Sequence, residues 1–235
     1  MKILAFLFTP DEPIKYTEFN YKKFLDYVVG NSTLSSLAFI NDWKNFWITK
    51  LQKEDGAIKD YIKQHSHTNP LLMRAKQNPE QFKDRNEMFL FVYQSGHGED
   101  FNFHFDIEKV NHFSRLKEPS KLTLEINEFY IDPETNYGDI NMQDHRLPYF
   151  TQMFTIDKPY IIIDGNKRVM ARLEKGIKKF DGYEITPDIV TQCFFTGLEM
   201  WFYTLLYEIK LFTILIMEGK TSDEIKRNSN AFRQV

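Results

Sequence analysis

Cysteine is almost absent from this chain: Cys193 is the only one among 235 residues. A lone cysteine cannot form an intrachain disulfide, so the sequence excludes a disulfide-stapled secreted scaffold. It also lacks the repeated thiolates of structural zinc sites. The closest histidines, His65 and His67, are two residues apart, a spacing that separates side chains on a helix. We therefore predict no metal site built from these residues, and we expect a reducing compartment, the cytoplasm.

Strong net charge and long uncharged apolar runs are also missing. The formal net charge is -3, which gives no global attraction to nucleic acid, and no helix-turn-helix pattern is present, so we expect no nucleic-acid partner. The longest apolar run, residues 194–217, contains Glu199, Glu208 and Lys210. Because charges are costly in hydrocarbon, this run predicts a buried amphipathic helix and no membrane partner. Residues 1–8 are too few for a signal peptide and predict a buried first strand.

Aromatic residues, in contrast, are abundant: the chain has 22 Phe, 12 Tyr and 3 Trp. Such a composition predicts a folded globular protein of one or two domains whose core is rich in rings. Trp43 and Trp47 lie one helical turn apart and are predicted to be core residues, because a base-stacking surface would need interleaved basic residues. Glu199 and Glu208 lie roughly on one face of the predicted helix, and they mark a polar seam, a pocket wall or the exposed edge of that helix.

Hydrophobic periodicity predicts a helical first part and a mixed second part. Apolar residues at helical spacing predict two helices, 17–29 and 32–53, with Asp55-Gly56 ending the second. Strict alternation in 101–105 predicts a half-buried strand of a β-hairpin near 88–107. The same patterns predict further strands over 122–126, 160–163 and 183–185, and short helices over 58–64, 71–76, 79–85 and 222–227. A long helix is predicted to start at either 188 or 191 and to run to 217, as one piece or broken near Gly197.

These elements predict an α/β fold, or an α+β fold if the first helices pack aside, with a small mixed sheet flanked by many helices. The polar, proline-bearing segment 117–120 is the predicted boundary between two domains. The first domain, 1–117, would be helical with the hairpin, and the second, 118–235, would hold the sheet and the C-terminal helices.

The segment 160–171 is the one that indicates chemistry. Its apolar residues predict a buried strand, Asp164-Gly165-Asn166 predicts a tight turn with Asn166 as the cap of the next helix, and Lys167 and Arg168 open that helix. The first N–H groups of a helix have no partner within it, so a phosphate can accept from them. From 164 to 179 the chain carries six basic and two acidic residues. The alternative is a plain strand-turn-helix with a solvated basic face.

The residues Ile163-Asp164-Gly165-Asn166-Lys167-Arg168 resemble the Asp-Gly-x-x-Arg signature of the ParB/sulfiredoxin-like superfamily. The similarity spans roughly 121–185: residues 122–131, followed by Asp132-Pro133, resemble the first strand and loop of that family, and 146–150 resembles its second strand. The resemblance implies that Gly165, Asn166, Lys167 and Arg168 bind the phosphates of a nucleotide. It also implies NTP hydrolysis or phosphoryl transfer, with a nucleoside triphosphate and Mg²⁺ as the cofactor.

The motif departs from the family in two positions. Sulfiredoxins have a cysteine inside it, whereas this chain has Asn166 and Lys167, so we expect no sulfiredoxin reaction. Lys167 stands where nuclease-type and kinase-type members often have histidine, which replaces a titratable group by a fixed cation.

The candidate catalytic residues are Asp164, Asp144 and His145. Asp164 has four alternative roles: it orients Arg168, binds a metal on the phosphates, serves as a base, or caps the turn. Asp144 and His145 precede the second family-like strand and either provide a general base or form a surface loop. Acidic residues in the preceding loop, at positions 132, 134 and 139, are candidates for Mg²⁺ coordination or for turn formation.

Three functions therefore stand as hypotheses. The first is a protein that binds a nucleotide or another phosphorylated small molecule, with NTP hydrolysis or phosphoryl transfer as its reaction. The second is a non-catalytic regulatory protein that keeps the fold and uses its aromatic-rich helices to bind a protein partner or a second copy. The third, a ParB-like nuclease or DNA-binding module, is disfavoured by the acidic balance.

Overall fold

A computed structural model describes residues 6–9, 11–82, 87–131 and 145–233, with the side chains of 81 and 82 left out. Its strands are β1 (Phe6–Leu7), β2 (Lys15–Tyr16), β3 (Met88–Gln94), β4 (Asp100–Asp106), β5 (Ser120–Glu125), β6 (Phe129–Tyr130), β7 (Tyr149–Gln152), β8 (Tyr160–Asp164) and β9 (Lys179–Ile185). Its α-helices are α1 (Tyr21–Gly30), α2 (Ile40–Gln64), α3 (Pro70–Gln77), α4 (Pro79–Phe82), α5 (Ile107–Leu116), α6 (Asn166–Leu173), α7 (Pro187–Val190), α8 (Gly197–Met217) and α9 (Ser222–Lys226). The mixed α/β class is confirmed.

The chain forms two compact units. Unit 1 comprises Met1–Asp84, Leu90–His104 and Phe195–Val235, and unit 2 comprises Arg85–Phe89 and Phe105–Phe194. The division differs from the predicted boundary at 117/118, because α8 packs against α2 and thereby joins the C-terminal helices to the N-terminal ones.

Helix α2 is longer than predicted. Asp55-Gly56 does not end it, and the helix continues to Gln64, absorbing the separate helix predicted at 58–64. The buried face of the helix explains this, since it continues through Leu51, Asp55 and Ile58, and the Asp55 carboxylate accepts from Tyr16 and Tyr21. The start is also corrected: Ser32 caps a short 3-10 helix, Thr33–Ser36, and α2 begins at Ile40.

Helix α8 is the core helix predicted from the long apolar run, and it begins at Gly197, the position near which the sequence allows a break in the 188–217 helix. Thr196 and Glu199 form a capping box at its start, and the short α7 precedes it. Glu199 and Glu208 are both fully buried, so they form a polar seam and not an exposed edge. In the described part of the chain, α8 is the one helix long and apolar enough to cross a membrane by length and composition.

The predicted hairpin near 88–107 is present as the paired strands β3 and β4. Strand β4 is buried along its whole length, which corrects the half-buried strand expected from its alternation. The polar residues that alternate with phenylalanine are buried because they have partners: Asn102 donates to the carbonyl of Phe6, and His104 contacts Glu199.

Unit 2 is built on a curled mixed sheet with the strand order β5-β9-β7-β8-β6. Strand β8 runs antiparallel to β7 and parallel to β6, while β7 and β9 are parallel. One core cluster packs the sheet against α6 and consists of Leu124, Phe129, Phe150, Ile162, Val169 and Phe180. Gly182 of β9 lies so close to the Phe150 ring that a Cβ there would collide with it. The sheet therefore holds the end of β8, and the turn that follows, in a fixed position.

Candidate functional site

The turn after β8 has the conformation that a strand-turn-helix anion site requires. Gly165 adopts φ 97° and ψ 11°, in the left-handed region, and is itself the cap residue of α6. This corrects the sequence prediction, which placed the cap at Asn166. Asn166 is the first helical residue, and its side-chain Nδ2 donates to the carbonyl of Ile162 at 2.9 Å, so its amide ties α6 back to β8.

Pro148 leaves no room for a side chain at Gly165. A Cβ at Gly165 would lie 3.0 Å from the Pro148 Cβ and 3.1 Å from its Cα. Pro148 is held in turn by β9, because the backbone N–H of Tyr183 donates to its carbonyl at 2.9 Å. Both the positive φ and this close approach select glycine.

Arg168 folds back over the turn. Its Nη2 lies 3.5 Å from Oδ2 of Asp164, and the two side chains are 10% and 25% exposed. The same Nη2 lies 2.9 Å from the place that a Gly165 Cβ would occupy. Of the roles considered for Asp164, the geometry therefore favours orientation of the Arg168 guanidinium.

The start of α6 combines several features that attract an anion. No side-chain hydrogen bond caps this helix, and the helix dipole places partial positive charge at its first N–H groups. Lys167 is exposed beside them. The turn therefore offers backbone donors and positive charge to an anion.

Two tyrosines lie beside this turn. Tyr149 of β7 is in register with Asp164 on one side and with Tyr183 on the other. The two rings are 5.8 Å apart at an interplanar angle of 36°, and both are half-buried. Partly exposed rings of this kind offer a surface on which a planar group can stack.

Of the two other predicted catalytic residues, only His145 lies among the described residues. His145 is exposed and lies three residues before Pro148. Asp144 lies outside the described residues, as do the acidic positions 132, 134 and 139. Among the residues that the structure describes, no group of three or more His, Cys, Asp or Glu side chains is placed to hold a metal ion.

Cys193 takes no part in such a site. It is free and fully buried, and burial raises the pKa of its thiol to about 12. The thiol is therefore protonated at neutral pH, and a protonated thiol is a poor nucleophile.

Sequence analysis does not single out a polar cluster in unit 1. Asp55 of α2 accepts hydrogen bonds from Tyr16 and Tyr21 and pairs with Lys59, beside a cleft of about 690 Å³. The one sequence signal for it is a carboxylate in the apolar stripe of α2, four residues before a lysine.

Comparisons with known proteins give no relative for this chain. No family model matches it, and neither does any of the curated proteins or solved structures compared with it. The resemblance to the ParB/sulfiredoxin-like superfamily therefore stays an expectation from the motif, and the function must be argued from the geometry.

Proposed function

We propose that this protein binds the phosphate of a nucleotide, or of another phosphorylated small molecule, at the turn formed by Gly165, Asn166, Lys167 and Arg168. The observation that carries the proposal is the left-handed Gly165 at the start of a helix with no side-chain cap, directly beside two cations. A phosphate oxygen would accept from the first N–H groups of α6.

The two cations would act differently. Lys167 is exposed and would add a point charge near the phosphate. Arg168 is nearly buried and is held against Asp164, so its guanidinium is already oriented and would bind with little loss of conformational entropy. Asp164 would position Arg168 and would not touch the ligand.

The tyrosine pair favours a nucleotide over a bare phosphate. Tyr149 is in register with Asp164, which immediately precedes the phosphate-binding residues, and the neighbouring Tyr183 extends the aromatic surface. Base-aromatic stacking contributes about 1–3 kcal/mol per base. A nucleoside phosphate would therefore bind more tightly than inorganic phosphate.

Binding without turnover is the function that the geometry supports best. Asp164 is engaged by Arg168, and His145 is an exposed residue without an ion pair in the described part of the chain. A triphosphate would bring Mg²⁺ as its counter-ion, but the described residues offer no ligand set for the ion, so we derive no hydrolytic step. We place this binding protein in the cytoplasm, in keeping with its single, buried thiol.

The test is a thermal-shift titration with ATP, ADP, CTP, GTP and inorganic phosphate, with and without Mg²⁺. A ligand that binds only the folded state raises the melting temperature as its concentration exceeds its Kd. Lys167→Ala should weaken binding about tenfold, the size expected when a charge-assisted contact is lost. Lys175→Ala is the matched control, since it removes an equally exposed lysine just beyond the other end of α6.

Three outcomes decide the proposal. A shift in wild type and Lys175→Ala that weakens in Lys167→Ala supports it. Equal weakening in both variants would point to nonspecific attraction by the basic face. Absence of any shift in wild type would contradict the proposal and favour an interaction protein that binds a partner or a second copy.

A further inference from the structure

Asp55 is the centre of a buried polar cluster in unit 1. Its side chain is only 6% exposed. Oδ2 accepts from the Tyr16 hydroxyl at 2.7 Å and lies 3.2 Å from the Lys59 ammonium, while Oδ1 accepts from the Tyr21 hydroxyl at 3.1 Å. One carboxylate thus ties β2 and α1 to α2 and holds Lys59 in place.

The protonation states show what this cluster can do. Burial raises the pKa of Tyr16 to about 12, and the hydrogen bond to Asp55 acts in the same direction. Burial also raises the pKa of Tyr21. Contacts with Tyr16 and Asp55 also raise the pKa of Lys59. At neutral pH both phenols and the ammonium keep their protons, so the cluster presents hydrogen-bond donors and a cation beside the Asp55 carboxylate.

A cleft of about 690 Å³ opens beside the cluster and is lined by Glu18, Tyr21, Gln52, Asp55, Gly56 and Lys59, among others. This volume lies in the range of small-molecule sites, about 300–1,000 Å³. Gly56 lies inside α2, where glycine destabilises a helix by about 1 kcal/mol relative to alanine. Nothing lies within 4 Å of the place that its Cβ would occupy, so the missing side chain keeps this wall of the cleft open.

The cleft presents two opposite charges close together. The Lys59 ammonium is 4.0 Å from Oε1 of Glu18, and the two side chains are 41% and 83% exposed. An exposed pair at this distance contributes little to stability. Asp55 compensates part of the Lys59 charge from the buried side, while the exposed parts of Lys59 and Glu18 can still contact a ligand. In an α-amino acid the ammonium and the carboxylate are attached to one carbon, and the two groups can therefore meet Glu18 and Lys59 at once.

We propose that this cleft binds a free α-amino acid in its zwitterionic form. The ligand carboxylate pairs with Lys59, the ligand ammonium pairs with Glu18, and the side chain lies in the space beside Gly56. Gln52 adds an amide that can donate and accept. This site is separate from the phosphate-binding turn and does not depend on it.

The first experiment is a thermal-shift and calorimetric screen with the standard L-α-amino acids. For each amino acid that binds, the N-acetyl derivative and the carboxamide are titrated as probes that lack one charge. We expect at least one amino acid to bind, and each derivative to bind about tenfold more weakly or worse, as expected when a charged hydrogen-bond partner is lost. Binding of no amino acid, or equal binding of either derivative, would overturn the proposal.

Variants then locate the site. Gly56→Leu places a side chain in open space, so the fold should be kept while binding is lost. Lys59→Met and Glu18→Gln should each weaken binding about tenfold. Lys63→Met is the matched control, because Lys63 is an exposed lysine one turn further along α2 that pairs with Asp60.

Titration of the Gly56→Leu variant with nucleotides tests the cleft independently of the proposed phosphate-binding turn. The variant should still bind whatever phosphate ligand the wild type binds, because the two sites share no residue. An amino acid that binds Gly56→Leu as tightly as wild type would show that it occupies another place, and this would refute the cleft assignment.

Discussion

The imidazole Nδ1 of His104 lies 2.8 Å from Oε1 of Glu199, and neither side chain is exposed to solvent. The backbone N–H of His104 donates to the same oxygen at 2.6 Å, while Oε2 accepts from the N–H and the hydroxyl of Thr196. On its other side, His104 Nε2 accepts from the N–H of Phe8 at 3.4 Å. Glu199 thus joins α8 to β4 through a network in which both of its oxygens are acceptors.

Replacement of Glu199 by glutamine tests this network. An amide has one acceptor oxygen, so in either orientation its NH₂ faces donors, from His104 on one side or Thr196 on the other. We expect Glu199→Gln to lower the free energy of unfolding by about 2 kcal/mol or more, measured by urea denaturation. Glu218→Gln, the same change at an exposed position after α8, should change it by less than about 0.5 kcal/mol. Equal stability of the two variants would show that the network is not stabilising.

Glu208 should be as sensitive, because four donors converge on it. Oε2 accepts from Trp43 Nε1 at 2.8 Å, Trp47 Nε1 at 3.0 Å and the Ser229 hydroxyl at 3.2 Å, and Oε1 accepts from the N–H of Asn230. Glu208→Gln should lower the free energy of unfolding by about 2 kcal/mol or more and Ser229→Ala by about 1 kcal/mol.

A double-mutant cycle checks the contact between Glu208 and Ser229. Because the two side chains share a hydrogen bond, the double variant should lose less stability than the sum of the single variants. Urea unfolding followed by tryptophan fluorescence is the appropriate measurement, since Trp43 and Trp47 report on the same carboxylate. If the losses in the free energy of unfolding of the two single variants simply add up in the double variant, the shared hydrogen bond is contradicted.

The sequence predicts the parts of this fold that depend on local pattern. Strand β8, its glycine turn and the helix α6 follow from a buried run, Asp164-Gly165 and two cations, and the hairpin follows from alternation and glycines. Mixed α/β class follows from the same periodicities. The strand-turn-helix unit and the hairpin are each determined by one continuous segment of the chain.

Features that depend on distant partners could not be predicted. Asp55-Gly56 is a common helix-ending pair, yet α2 continues because Tyr16 and Tyr21, more than thirty residues away in the chain, satisfy the carboxylate. The sequence leaves Glu208 as part of a polar seam, a pocket wall or an exposed edge, and its partners Trp43 and Trp47 lie more than 160 positions away in the chain. In the candidate site, Pro148 lies next to the place where a Cβ at Gly165 would be, and no local pattern contains that close approach.

Gly165 and Gly176 form a matched pair for testing the turn. Both have positive φ, 97° and 83°, but a Cβ at Gly165 would press on Pro148, whereas nothing lies within 4 Å of a Cβ at Gly176. Gly176→Ala should lower the free energy of unfolding by about 1 kcal/mol, the cost of the left-handed conformation alone. Gly165→Ala should lower it by about 2–3 kcal/mol, because displacement of the Pro148 backbone is added. Equal effects in thermal or urea unfolding would show that Pro148 can move away at no cost.

Because of Tyr16, the free energy of unfolding should fall as the pH rises in the alkaline range. Burial, and next the hydrogen bond to Asp55, raises the pKa of its hydroxyl from 10.0 to about 12, so the unfolded chain releases this proton first as the pH rises. The stabilisation is therefore complete below about pH 10 and is lost as the pH rises through about 12. Tyr16→Phe removes the titrating group and its hydrogen bond. The wild type should thus exceed Tyr16→Phe in urea midpoint by a constant amount from pH 7 to 9, and the two midpoints should converge between pH 10 and 12.

Tyr207→Phe, at an exposed tyrosine of α8, should follow the wild type throughout. A difference that stays constant up to pH 12 would mean that Tyr16 titrates no later in the folded protein than in the unfolded chain.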